Sequence, residues 1–140
     1  MTDRVVGSIV GGVIEKFGSA DRLTFTVAAG QAATGGKMVE ATTGQTFQCR
    51  TAQAGSLLPL GVAIHDAAAA AKVTVATVGV WMLYAEGSIT AGDLVECGGA
   101  GDVRTVQTYD NSTSLDPRTI VGRALADIAN NTTGPVRLGI

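Results

Sequence analysis

The stretch Thr34–Glu40 (TGGKMVE) recurs as Thr90–Glu96 (TAGDLVE), with identities at the threonine, the glycine in third place, the valine and the glutamate. Farther along, Leu60–Asp66 (LGVAIHD) recurs as Val121–Asp127 (VGRALAD), with identities at glycine, alanine and aspartate. Two matches in the same order and with similar spacing indicate an internal structural repeat. The chain therefore reads as two related units, from about residue 23 to 77 and from about residue 80 to 140.

Each unit has the sequence pattern of short strands joined by turns. Leu23, Phe25 and Val27 alternate with threonines, which is typical of a strand with one buried face. The continuously apolar run Val80–Tyr84 predicts a strand buried on both faces. The alanine run at residues 67–71 favours a helix by propensity. Its counterpart in the second unit has turn chemistry, so we expect at most one helical turn there.

These patterns predict an all-β protein: a compact β-barrel-like or sandwich-like domain of two weakly repeated β units, preceded by an N-terminal arm. The three prolines, Pro59, Pro117 and Pro135, are expected at strand starts or in loops, where proline is tolerated.

Composition bears on the partners. Charged residues make up 16% of the 140 residues, against about 25% in an average soluble domain, and the mean hydropathy is +0.29. So few charges predict apolar surface that faces another protein. The ten basic residues are scattered, which disfavours nucleic-acid binding. No apolar stretch has the length of a membrane span and no signal-peptide pattern is present, so we expect synthesis in the cytosol.

Residues 1–22 lie outside both units and form the predicted arm. The arm is apolar but interrupted by Gly7, Gly11 and Gly12, and we predict that it docks on a neighbouring molecule. The alternative is an extra edge strand or a cap on the domain's own barrel. The residues predicted to contact a capsid or another copy are Val5, Val6, Ile9, Val10, Val13, Ile14 and Phe17.

Few residues suggest chemistry. His65 is the only histidine and its repeat counterpart is Ala126, so a surface or interface position is favoured over catalysis. Asp66 and Asp127 recur before a turn and are predicted to accept hydrogen bonds from that turn's own backbone. Glu40 and Glu96 are predicted to be exposed at strand ends. No catalytic, cofactor-binding or metal-binding set is predicted, and Cys49 and Cys97 are expected as unpaired thiols.

Several short motifs resemble the head decoration (capsid cement) proteins of tailed bacteriophages. They are VAAG at residues 27–30, Thr34–Glu40, Leu60–Asp66, KVTVATVGV at residues 72–80 and TIVGRALAD at residues 119–127. The resemblance covers about residue 23 to the C-terminus. It implies a structural, non-enzymatic virion protein without cofactors on the capsid exterior. Such a protein sits there as a homotrimer and clamps neighbouring major capsid protein subunits.

Two other hypotheses stay open. One is another virion β-module, such as a head-fibre base or a tail-associated protein, for which an extended fibre repeat would be the expected sign. The other is a β-clip-type enzyme domain, for which an acidic cluster, a second histidine or a cofactor loop would be expected. The 140 residues contain none of these signs.

Overall fold

A computed structural model describes residues 22–107 and 116–139. The first unit consists of five strands, each with hydrophobic or β-branched residues at alternating positions. They are β1 (Arg22–Val27), β2 (Met38–Ala41), β3 (Gln48–Thr51), β4 (Pro59–Ala63) and β5 (Lys72–Ala76). These strands form a closed barrel in the order β1-β3-β2-β4-β5.

The second unit repeats this arrangement with five further strands. They are β6 (Gly79–Tyr84), β7 (Leu94–Cys97), β8 (Val103–Thr105), β9 (Ile120–Ala124) and β10 (Thr133–Leu138). Their order, β6-β10-β9-β7-β8, is the order of the first barrel with each strand replaced by its repeat counterpart. The predicted all-β fold of two repeated units is therefore confirmed.

The two units differ at the place where each sheet meets itself. In the first unit β1 runs parallel to β3, with Thr26 opposite Gln48 and Val27 opposite Cys49. In the second unit the corresponding contact is a single parallel bridge between Ala85, just beyond the end of β6, and Val103 of β8. The second sheet is thus closed more weakly than the first.

The recurring residues of the sequence explain why the units fold alike. Gly36 and Gly92 have φ values of +85° and +90°, in the left-handed region that glycine occupies at little cost. Each lies in the turn before β2 or β7, and its N–H donates to the carbonyl of Ala63 or Ala124. Both turns lead into strands with a β-bulge at the same place, between the recurring valine and glutamate.

A second recurring glycine allows two strands to approach closely. A Cβ atom on Gly61 would lie 2.1 Å from the carbonyl oxygen of Ala76 on β5, and one on Gly122 would lie 2.1 Å from that of Arg137 on β10. Any larger residue would push the paired strands apart. The glycine recurs because the backbones leave no room for a side chain.

Two hydrophobic clusters form the core. The first fills the barrel of the first unit and includes Phe25, Val27 and Val73. The second joins interior residues of the second unit to Met38, Val62 and Ala76, which belong to the first unit. Because the second cluster contains side chains from both units, the units share a hydrophobic core and are not independently packed domains.

Three predictions can be compared at single positions. The alanine run forms an isolated bridge at Ala67, followed by a turn, as its repeat counterpart does. Pro135 differs from expectation, because it lies inside β10, a central strand paired on both sides. The prediction that Val80–Tyr84 is buried on both faces is wrong: Val80 is 57% and Met82 60% exposed.

Candidate functional site

The recurring aspartates hold the turns of the repeat. Asp66 Oδ1 accepts a hydrogen bond from the Gly35 N–H and Asp127 Oδ1 from the Ala91 N–H, each at 2.8 Å. The sequence predicted donors in the turns that follow the aspartates. That prediction is wrong, because the donors belong to the glycine turns before β2 and β7. The two carboxylates therefore stabilise equivalent long-range contacts.

His65 is tied to backbone groups through both ring nitrogens. Its Nδ1 lies 2.9 Å from the Asp66 carbonyl oxygen, and its Nε2 accepts from the Thr74 N–H at 3.1 Å. With this pattern the proton is assigned to Nδ1, which donates to the carbonyl. Both nitrogens of the exposed ring have backbone partners, an arrangement that suits a structural role.

The recurring glutamates are buried, which corrects the prediction that they are exposed at strand ends. Glu40 is 5% and Glu96 4% exposed. Glu40 accepts from Arg50 Nε at 2.7 Å and from the Gln53 N–H at 3.1 Å. Glu96 accepts from Arg104 Nε at 2.8 Å. In both units the arginine lies directly opposite the glutamate on the neighbouring strand.

This pairing affects ionisation. Burial acts to raise the pKa of Glu40, but hydrogen bonds from Ser56, the Gln53 N–H and Arg50 outweigh it and the pKa is lowered. The Cys97 thiol is buried near both glutamates, and burial followed by their negative charges raises its pKa to about 12. Burial also raises the pKa of Cys49. Both cysteines are free and buried thiols, and neither has thiolate character.

Polar contacts also join the two units. Lys37 pairs with Asp102, and its Nζ lies 4.5 Å from the centre of the Tyr84 ring. The Gly101 N–H donates to the Ala52 carbonyl, and the Gly55 N–H to the Cys97 carbonyl. The glycine-rich turn that includes Gly101 joins β7 to β8 and packs against β2. It is an inter-unit contact rather than a phosphate-binding loop.

The described chain offers little for catalysis and several apolar side chains for binding. Within residues 22–107 and 116–139, no cluster of three or more His, Cys, Asp or Glu residues could hold a metal ion. The same part of the chain contains no helix that is both long and apolar enough to cross a membrane. The exposed large hydrophobic residues are Phe47, Leu57, Leu58, Val78, Val80, Met82 and Leu125.

Comparison with known proteins gives the context for this surface. The sequence model of the phage cement protein family matches residues 17–140, nearly the whole chain. The chain belongs to the phage cement protein family. As a cement protein it is a structural protein associated with the phage capsid, and its place is the virion.

A solved structure has the same fold. The N base of head fiber gp8.5 in bacteriophage phi29 superposes with a TM-score of 0.62 at 19% sequence identity. The match covers 84% of this chain and 94% of that one. At 19% identity the match shows that the two proteins share a fold and shows nothing further about the cement protein. No curated protein sequence matches significantly.

The site residues that were predicted from the sequence of this cement protein fall into two groups. The predicted contacts Val5, Val6, Ile9, Val10, Val13, Ile14 and Phe17 lie outside the described residues. Asp66 and Asp127 lie at equivalent points of the two units and do not meet in one site. Sequence reasoning missed the exposed side chains of β6 and the Glu–Arg pairs. The recurring Arg-Thr in β3 and β8 was the available signal for the pairs.

Proposed function

We propose that this cement protein binds the outer surface of a phage capsid as a homotrimer and stabilises the shell by clamping neighbouring major capsid protein subunits. The family match over residues 17–140 is the observation that carries the proposal. A protein that binds the assembled shell but not free subunits stabilises the shell by mass action. The predicted contacts are Val5, Val6, Ile9, Val10, Val13, Ile14 and Phe17, together with exposed apolar side chains of the barrels.

The internal use of polar groups supports a binding role without catalysis. Glu40, Glu96 and Asp102 are each engaged by a basic side chain of the fold. Both nitrogens of His65 are engaged by backbone groups. The groups that a general acid–base mechanism would use therefore already hold the structure together.

The same contacts bear on the absence of other partners. Lys37, Arg50 and Arg104 each pair with a carboxylate of the fold, so their charges do not form an unpaired basic surface. Phosphate-backbone binding depends on grouped cations. We therefore propose that nucleic acid is not a partner. We also propose that no membrane is a partner and that the protein is made in the host cytoplasm before it joins the capsid.

A second candidate function is the base of a head fibre. The likeness in fold to the N base of head fiber gp8.5 favours it. Such a base would also attach to the capsid but would carry a fibre outward rather than hold subunits together. The two functions differ in one measurable property, since a clamp raises the heat resistance of the shell and a fibre base need not.

The experiment mixes the full chain with shells that lack decoration. Co-sedimentation measures binding, and thermal release of packaged DNA measures heat resistance. We expect saturable binding and a higher release temperature. Binding without any gain in heat resistance would overturn the clamp and favour the fibre base.

A truncation tests the predicted anchor. Deleting residues 2–20 should weaken binding to shells strongly. A second, full-length variant has Ile9, Val13 and Ile14 replaced by serine. It keeps the length of the arm and removes apolar contact, so it separates the effect of the side chains from that of the deletion. Tight binding by both variants would show that residues 1–22 are not the anchor.

A further inference from the structure

The outer face of β6 carries an apolar patch in two rows across the sheet. Pairing places Val80, Arg137 and Arg123 in one row and Met82, Pro135 and Leu125 in the next. Val80 is 57%, Met82 60% and Leu125 49% exposed. We call these six residues the β6 face. One row is wholly apolar, and the other joins Val80 to two neighbouring arginines.

The repeat provides an internal comparison for this face. Lys72 and Thr133 are matching first residues of β5 and β10, so their partners Thr26 and Tyr84 match as well. By the same register, Met82 matches Thr24 and Val80 matches Arg22. The first unit builds the same strand with polar side chains at these outward positions. The fold alone therefore does not require Val80 and Met82 to be apolar, and an outside contact accounts for them.

The edge beside this face is also open to pairing. Among the described residues, β6 pairs along its length with β10 on one side. On its other side the chain has only the bridge from Ala85, just beyond the end of β6, to Val103. A strand edge with apolar residues beside it is a template for an added strand.

The start of the described chain lies next to β6. The guanidinium carbon of Arg22 is 6.0 Å from the centre of the Trp81 ring. The described chain therefore begins close to β6, although the Trp81 side chain lies on the face of the strand opposite to Val80 and Met82. The preceding residues 1–21 contain Val5, Val6, Ile9, Val10, Val13 and Ile14, all of them β-branched residues that favour strands.

We propose that residues 5–14 of one copy add as a strand along the free edge of β6 of a second copy and pack beside Val80 and Met82. The inference rests on the proposed homotrimer and names its contact. The described part of each protomer begins at Arg22, close to its β6. Three copies that turn β6 toward a common axis thus bring each arm to the next copy, and the head-to-tail contacts close into a ring.

A cross-linking experiment tests which chain occupies the face. Two versions of the full chain, each carrying both Val10→Cys and Met82→Cys and one of them with a size tag, are mixed in denaturant, refolded together and oxidised. Cys49 and Cys97 are buried and do not interfere. We expect the mixed disulfide-linked product in non-reducing gels. Thr24→Cys in place of Met82→Cys is the matched control, since Thr24 is exposed at the corresponding position of β1.

A charge substitution tests the contact without cysteines. Met82→Glu should dissociate the oligomer in analytical ultracentrifugation, whereas Thr24→Glu should leave it intact, and circular dichroism checks that both fold. An oligomer that withstands Met82→Glu, or a Val10→Cys, Met82→Cys chain that closes only on itself, overturns the inference. If Met82→Glu abolishes shell binding but not oligomerisation, the face contacts the shell instead. Failure of the full chain to bind shells, with the mixed product still formed, refutes the proposed function alone.

Discussion

Replacing Gly122 by alanine tests whether close strand approach is the reason that this glycine recurs. The added Cβ would lie 2.1 Å from the Arg137 carbonyl oxygen and 3.0 Å from its carbon. A carbon and an oxygen in contact need about 3.3 Å, so β9 and β10 must separate by about 1 Å. Both neighbours are backbone and cannot rotate away. Overpacking of a core typically lowers the free energy of unfolding by about 1–3 kcal/mol. Because the neighbour here is rigid backbone, we expect a loss of about 3 kcal/mol.

Thermal and urea unfolding followed by circular dichroism measure this loss. For a domain of this size, about 3 kcal/mol corresponds to a fall of roughly 10 °C in Tm. Gly61→Ala should behave alike, because its Cβ would lie 2.1 Å from the Ala76 carbonyl oxygen. Gly30→Ala is the control: nothing lies within 4 Å of its Cβ, and only its φ of +76° opposes alanine. That conformational cost is about 1 kcal/mol.

The reasoning would be refuted if Gly122→Ala and Gly30→Ala lowered Tm by the same amount. Strand separation would then cost no more than the strained φ of an alanine at position 30, and the recurrence of this glycine in both units would need another explanation.

Three further outcomes are expected. Ala70→Asn should raise the unfolding free energy by about 0.5–1 kcal/mol, because Ala70 has a φ of +65° and its repeat counterpart Asn131 has a φ of +63°. An unchanged free energy of unfolding in urea would contradict this. Cys49 and Cys97 should resist a thiol reagent at pH 8 until the protein is unfolded, since burial raises both pKa values, and rapid labelling of the native chain would count against it. Glu40→Gln should cost about 1.5–3 kcal/mol at pH 7 through the weakened hydrogen bond with Arg50. Because the folded pKa of Glu40 is lowered, its contribution is complete above the ordinary value of 4.5 and lost as pH falls through the folded pKa. The gap between Glu40→Gln and the parent should therefore narrow in acid, and a gap that does not depend on pH would rule out this cause.

The repeat was the part of the fold most open to prediction from sequence. Gly36 and Gly92 recur because a left-handed turn needs them, and Gly61 and Gly122 recur because backbones approach there. Each of these backbone requirements is local and selects glycine at one fixed position of the unit, so the pattern can be read from the sequence. The same logic correctly predicted a turn at the alanine run against its helix propensity.

Burial was harder to predict, because it depends on what packs against a strand. The apolar run of β6 suggested two buried faces, yet its outward residues Val80 and Met82 have no cover among the described residues. Glu40 suggested an exposed position by its charge alone. It is buried because Arg50, ten residues later, lies opposite it on β3. The contact residues proposed for the arm lie outside the described residues, so for them the sequence prediction stays a prediction.

The unequal closure of the two barrels has a consequence for local opening. The barrel of the first unit closes with two parallel residue pairs, whereas the ends of the second sheet are joined by the bridge between Ala85 and Val103. The Glu86 N–H donates to the Val103 carbonyl at 2.7 Å, next to that bridge. Regions held by few backbone hydrogen bonds open at lower free energy than the whole domain unfolds. Hydrogen exchange should therefore be faster at Glu86 than at Ala28, which bonds to Cys49 in the first barrel. The second sheet can then open at the bridge between Ala85 and Val103 and close again while the core that the two units share stays packed.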